Sequence, residues 1–201
     1  MARRDEAELR EAILDAARGV FLTEGFAAAS VGAIARTAGV STKTIYRLFE
    51  TKTDILVAVI SGFMEMMLPG LDEYVVGRRE ELEPVLNRIL NGLAPLGLSE
   101  GGLAANRLAT TEVMRVPEMV AAFYREGHEK IVAALGRWLA RQQEAGHIRL
   151  ADPAQAAAML LSMAYADLTR RATISGEAPT PDAIARWVAQ AVAVFLRGVA
   201  A

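Results

Sequence analysis

One stretch constrains the fold of this chain more than any other: Ser30 to Asp54, SVGAIARTAGVSTKTIYRLFETKTD. Ser30 is a good N-cap for a short helix from Val31 to Ala38, with Ile34 and Ala35 on one face. Ala38-Gly39-Val40 makes the break. Ser41 then caps a second short helix, ending near Phe49, that carries Thr42, Lys43, Thr44, Tyr46 and Arg47 outward. No Asp or Glu occurs from Gly25 to Phe49, although the chain as a whole carries a net charge of −2. Two helices joined by a tight turn, with Arg36, Lys43 and Arg47 on an acid-free surface, suit a polyanion. The segment reads as a helix-turn-helix set against DNA.

The rest of the composition narrows the class. A hydrophobic share of 53% is incompatible with a disordered chain. The longest uncharged run, Pro153 to Ala166, is shorter than the roughly 18–20 residues that cross a bilayer. Arg3 and Arg4 are followed at once by acids, without the apolar core of a secretion signal. The absence of cysteine excludes disulfides and thiolate metal sites. A soluble, cytoplasmic protein without cofactor or metal is expected. A pI near 5.8 argues against a general nucleic-acid coat but not against one small DNA-reading module. Residues 1 to 50 hold seven Lys/Arg and seven Asp/Glu, so the module is basic only on its reading side.

Apolar residues recur at three- and four-residue steps throughout, which predicts an all-α chain of about nine helices. The first helix spans Asp5 to Glu24, burying Leu9, Ile13, Ala16, Ala17, Val20 and Phe21. Thr51 and Asp54 have capping-box spacing at the head of a fourth helix that runs to Pro69-Gly70. A fifth is expected from Glu80 to Ala94, then a loop at Pro95-Leu96-Gly97-Leu98. Ser99 opens a sixth, ending at Arg115, and Pro117 a long seventh that closes at Ala145-Gly146. Asp152-Pro153 and Thr180-Pro181 each pair an N-cap with a first-turn proline and open the last two helices. The division expected is a three-helix helix-turn-helix domain at 1–52 and a larger helical bundle for ligand binding and dimerisation at 53–201.

These residues carry a family resemblance. Phe26, Ser30, Ile34-Ala35, Ala38-Gly39-Val40-Ser41, Thr44-Ile45-Tyr46, Phe49 and Lys52 resemble, without a gap, the DNA-binding domain of TetR-family transcriptional regulators. The stretches NRLATTEVMRVPEM and AGHIRLADP and the two closing helices look like the C-terminal domain of the AefR-like subgroup. The resemblance implies a repressor that acts as a homodimer, its two modules reading successive major grooves of a palindromic double-stranded operator. It also implies a C-terminal pocket for a small effector. Two departures stand out: Gly32 has no side chain where many relatives reach a base, and Leu48 replaces a frequent aromatic or histidine.

Individual roles follow from helix geometry. Thr42 and Lys43 lie at the N-terminal end of the recognition helix, which normally enters the major groove. Lys43 can donate to guanine, and Thr42 can meet a thymine methyl or a base acceptor. Tyr46 and Arg47 are placed for phosphates, and Thr44 belongs to the same helix. Ser30 and Lys52 sit at helix starts that favour an anion, and both are expected to clamp phosphates. Phe63, Met67, Leu90, Met114, Phe123 and Met163 are candidates for the lining of an effector pocket, because methionine-rich apolar space adapts to varied ligands. Arg107 is a candidate polar anchor.

The last helix has two apolar stripes, and the eighth is apolar on more than one side. A homodimer interface built from two helices of each subunit is therefore expected, through Leu160, Ala164, Leu168, Trp187, Ala191 and Val194. An enzyme is the competing class, but His128 and His147 are the only histidines and lack metal-site spacing, and no phosphate-binding loop is present. A helical ligand-binding or adaptor protein without operator function is the second alternative. It would leave the acid-free reading helix unexplained.

Overall fold

The computed structural model describes residues 6–112 and 117–199. In chain order these form α1 (Glu6–Glu24), α2 (Val31–Ala38), α3 (Thr42–Leu48), α4 (Lys52–Met67), α5 (Leu82–Leu98), α6 (Glu100–Glu112) and α7 (Pro117–Phe123). A π-helical turn (Tyr124–Glu129) leads into α8 (Lys130–Glu144), followed by α9 (Pro153–Ser175) and α10 (Pro181–Gly198). Short 3-10 turns occupy Pro69–Leu71 and Arg79–Glu81. Because α7, the π turn and α8 follow one another without a break, the described residues hold nine helical rods and no strand. The all-α architecture expected from the periodicity is the one observed.

The chain divides into two compact units. One comprises Met1–Met64 and Leu108–Gly127, the other Glu65–Arg107 and His128–Ala201.

In the first unit, α1 buries Ile13, Ala16, Ala17, Val20 and Phe21, the stripe read from the sequence, while Leu9 is half-buried. The Phe21 ring lies 5.3 Å from that of Phe26, beyond the helix end at Gly25. Ser30 Oγ accepts the Ala33 N–H at 3.1 Å and so caps α2. Gly39 then takes φ +68°, which a side chain would resist, and Val40 N–H returns to Ala35 O at 2.9 Å. That exchange satisfies the last carbonyls of α2 and turns the chain into α3. Ser41 Oγ caps α3 through Thr44 N–H at 3.1 Å, while Ile45 and Phe49 are buried. At the head of α4, Thr51 N–H donates to Asp54 Oδ2 at 2.8 Å and Asp54 N–H to Thr51 Oγ1 at 3.1 Å. This is the capping box its spacing predicts.

The second unit is built on α5, α8, α9 and α10, whose facing residues include Leu86, Leu90, Leu135, Trp138, Leu160 and Val188. Trp138 has no exposed surface, and its indole N–H donates to Tyr74 O at 2.8 Å. Arg141, one helical turn on, pairs with Asp72 at 2.8 Å, so α8 holds the segment leading out of α4 at two points. Tyr165 of α9 donates its hydroxyl to Leu90 O, and burial raises its phenol far above the ordinary value. Asp152 and Thr180 cap α9 and α10 as expected.

Two elements differ from the sequence reading. The loop expected at Pro95–Leu98 is the last turn of α5. Pro95 has no N–H to give the helix, but Ala94 and Leu98 are buried against Leu103, Leu168 and Ala172, and that burial outweighs the missing bond. The chain can then reverse closely into α6 because residue 102 is glycine, where a methyl group would meet Leu96 O at 2.5 Å. The second difference is the π turn inside the long rod expected from Pro117 to Glu144. There Gly127 is buried, a Cβ on it would meet Ile60 of α4 at 3.9 Å, and Glu126 accepts the Ser61 hydroxyl at 2.8 Å. These α4 partners sit where the extra residue of the turn is accommodated.

Candidate nucleic-acid interface

A helix of seven residues displays what the caps and the core leave outside. With Ile45 fully buried, α3 turns Thr42, Lys43, Tyr46 and Arg47 to solvent. Tyr46 is 55% exposed, a large aromatic surface for the body of a folded module. Thr42 and Tyr46 share one line along the helix, as do Lys43 and Arg47, because residues four apart are neighbours on a helix surface. Thr44 is half-buried, and its hydroxyl lies 2.8 Å from that of Ser41. It serves the helix start.

Ser30 sits at the exposed start of α2, its oxygen already accepting from Ala33, which leaves the hydroxyl hydrogen available to an outside acceptor. A methyl group on Gly32 would lie 3.8 Å from both Ser30 Oγ and Arg36 Nη1. The glycine that offers no base-reading side chain thus leaves a hydroxyl and a guanidinium flanking the space above its Cα. The sequence reading counted Arg36 in the acid-free surface but did not join it to Ser30. The signal for it was the four-residue step from Gly32 to Arg36.

Lys52 is engaged within the chain. Its ammonium was expected to clamp a phosphate, but it donates to Phe26 O at 2.6 Å, Ala29 O at 2.8 Å and Ala27 O at 3.3 Å. It also lies 4.5 Å from the centroid of the Phe26 ring. An ammonium has three hydrogens to give, and these carbonyls lie within reach of them. Lys52 therefore holds the α1–α2 loop onto the start of α4. Lys52→Met is expected to accelerate amide exchange across residues 26–35 by roughly 30- to 150-fold, the equivalent of about 2–3 kcal/mol of lost charged hydrogen bonding. Hydrogen exchange read by mass spectrometry checks this.

Arg47 also has a partner inside the chain: Nη1 is 2.8 Å from Glu6 Oε2 in the first turn of α1, with both side chains more than half exposed. Arg10, one turn along α1, has its guanidinium carbon 5.3 Å from the centroid of the Phe49 ring.

Leu90 has no exposed surface and belongs to the core of the second unit. Met163 is 37% exposed on the outer side of α9, so it lines no interior cavity. Arg107 and Phe123 are half-buried. Met114 and the side chains of Phe63 and Met67 lie outside the described residues. Two open clefts border α5, one of about 460 Å³ lined by Leu71, Tyr74, Arg88, Ile89 and Leu93 among others, the other of about 350 Å³ around Tyr74, Glu81 and Arg88. Neither includes any of the seven expected pocket residues.

The six residues expected at the dimer face differ in how much surface they leave open. Leu160, Ala164, Leu168 and Ala191 are buried inside their own chain, with at most 7% of their surface exposed. Trp187 is half-buried, its indole N–H donating to Met163 O at 2.9 Å. Of the six, Val194 is substantially exposed, at 52%. The large apolar side chains that α9 and α10 leave uncovered are instead Met159, Met163, Ile174 and Val194. Both stripes of each helix are apolar in sequence, and packing on α5 and α8 selects the other one for the core. No helix among the described residues is long and apolar enough to cross a membrane.

Comparison with known proteins places this arrangement. Residues 13–59 match the family model for bacterial regulatory proteins of the tetR family, and residues 84–199 match the C-terminal domain of AefR-like transcriptional repressors. No curated protein gives a match. Among solved structures, a TetR-family transcriptional regulator from Mesorhizobium loti is similar at a TM-score of 0.82 and 21% identity, covering 99% of this chain and 100% of its own. A TetR transcriptional regulator from Agrobacterium tumefaciens is similar at 0.79 and 22%, covering 95% and 94%. The flavonoid-responsive regulator FrrA is similar at 0.74 and 24%, covering 96% and 98%. A reading helix exposed on an acid-free surface, followed by an AefR-like helical domain, leads to one conclusion: the chain belongs to the TetR family of transcriptional regulators.

Proposed function

We propose that this regulator is a repressor that binds a palindromic operator as a homodimer and leaves it when a small apolar molecule binds the C-terminal half. The observation that carries the DNA contact is the exposed row on α3, with Thr42 and Lys43 at its groove-entering end. In this reading Lys43 donates to a guanine edge and Thr42 meets the neighbouring base. Tyr46, Ser30 and Arg36 hold phosphates and fix the register, which base contacts alone do not do. Residues 1–52 supply the reading surface and residues 53–201 the effector and partner surfaces. The apolar effector class is supported by the methionine content of the C-terminal half and by the name of the structurally similar FrrA, which refers to flavonoids.

Repression and release then become two spacings of the reading helices. In the binding state these lie about 34–36 Å apart, one turn of DNA. An effector lowers operator affinity only to the extent that it binds the other spacing more tightly. The test is fluorescence anisotropy against DNA from immediately upstream of the protein's own gene, with random duplex as competitor at a stated salt concentration. Saturable binding of two protomers per operator is expected. In Lys43→Ala the preference at one position of each half-site should fall by about 1–3 kcal/mol, with other positions unchanged. Selectivity that stays the same across single-base variants of the operator would remove Lys43 from base reading.

A further inference from the structure

Resting on the DNA-binding reading of α3, we infer that Glu6 is an internal competitor for Arg47 that trims the sequence-independent part of DNA affinity. The ion pair joins the first turn of α1 to the last turn of α3, residues 41 apart in the chain, and closes at 2.8 Å through one guanidinium nitrogen. It is a local exception, since the reading surface from Gly25 to Phe49 has no acidic residue of its own. The carboxylate arrives from another helix.

Glu6 has the same sign of charge as a DNA phosphate and occupies the same partner. Arg47 shares its line on α3 with Lys43, so a guanidinium released from Glu6 adds a second cation to that line. Sequence-independent binding is almost wholly electrostatic, whereas operator binding adds base contacts. A carboxylate that occupies one cation on the reading helix therefore weakens the first term and leaves the hydrogen bonds of the second intact. The pair is also weak enough to give way. Both side chains are exposed, 55% for Arg47 and 65% for Glu6, and the contact is not a two-pronged one. On random duplex Arg47 stays with Glu6. On the operator, where the base contacts fix the helix in place, it passes to a phosphate.

The test compares the full-length protein with Glu6→Gln, Arg47→Ala and the double variant, on operator and on random duplex, by anisotropy over a salt series. Glutamine at position 6 is expected to tighten binding to random duplex by roughly 1.5- to 5-fold per protomer, the range of an exposed ion pair. It should also steepen the slope of log K against log salt by about 0.9 per protomer, as one further phosphate contact requires. Operator affinity should rise by at least as much, because in the unmodified protein Arg47 leaves Glu6 there at a cost that disappears with the carboxylate. The salt slope on the operator should stay as it was. None of these changes should appear when Arg47 is alanine. Unchanged or weakened binding to random duplex in Glu6→Gln would overturn the inference and make Glu6 a support that positions Arg47. The same gain in the Arg47→Ala background would also overturn it, by showing only a general charge effect. Absence of operator binding by the unmodified protein would instead strike the regulator reading itself.

Discussion

Glutamate in place of Met163 should leave the protein monomeric and lower its operator affinity by roughly 10²–10⁴-fold, the factor that linking two binding modules supplies. The argument begins with what α9 leaves uncovered. Met159, Met163 and Ile174 are 61%, 37% and 80% exposed and recur along one face of the helix, and Val194 on α10 is 52% exposed. Four such side chains on two adjacent helices form an apolar surface that a second copy can cover. In a two-fold interface the same patch meets itself, so one substitution places two carboxylates in it. Burying these charges costs far more than removing the methionines. The substitution should spare the fold, because Trp187 bonds to the backbone oxygen of Met163 and not to its side chain. Analytical ultracentrifugation at micromolar concentration reads the outcome. A dimer in that experiment would move the interface to another face of the chain.

The second large effect is on folding. Trp138→Ala is expected to destabilise the second unit by about 3–5 kcal/mol from lost packing and the cavity left behind. The loss of its bond to Tyr74 O adds to that, since the carbonyl loses its internal partner. Trp138→Phe separates the two terms: it keeps most of the ring volume and should cost about 1–3 kcal/mol. Urea unfolding followed by the fluorescence of Trp187, the other tryptophan, gives both values. Equal costs for the two variants would show that the indole hydrogen bond, and not the ring, holds α8 to the segment after α4.

Much of the fold is legible in the sequence because helix caps are local chemistry. Ser30, Ser41, Thr51 with Asp54, Asp152 and Thr180 each bond to an N–H within three residues, so their types and spacing suffice to place five helix starts. The exposed face of α3 was legible for a similar reason, since a short helix with one buried residue, Ile45, leaves little doubt about which side chains face out. What escaped depends on distant partners. Pro95 ends a helix by local rules, and only the burial of Leu98 against α6 and α9 keeps it helical. Gly127 marks a weak point in a long rod, but the π turn there lies against α4, where Ser61 bonds to Glu126, and that neighbour is distant in sequence. Lys52 looked like other lysines at helix starts until three carbonyls more than twenty residues earlier were placed around it. On α9 and α10 hydrophobicity could not distinguish the core stripe from the uncovered one. That choice is made by α5 and α8, which pack on the stripe holding Leu160 and Val188.

The bonds of Lys52 have a mechanical meaning. A lever is useful only if its joint has no play, and the joint here is the first turn of α4. An ammonium fixed to the carbonyls of Phe26, Ala27 and Ala29 ties that turn to the loop from which α2 departs, while the Gly39 turn ties α2 to α3. A tilt applied at the start of α4 is therefore not absorbed where the helix meets the module. It passes on through α2 and the Gly39 turn to α3, as a rotation of Thr42 and Lys43.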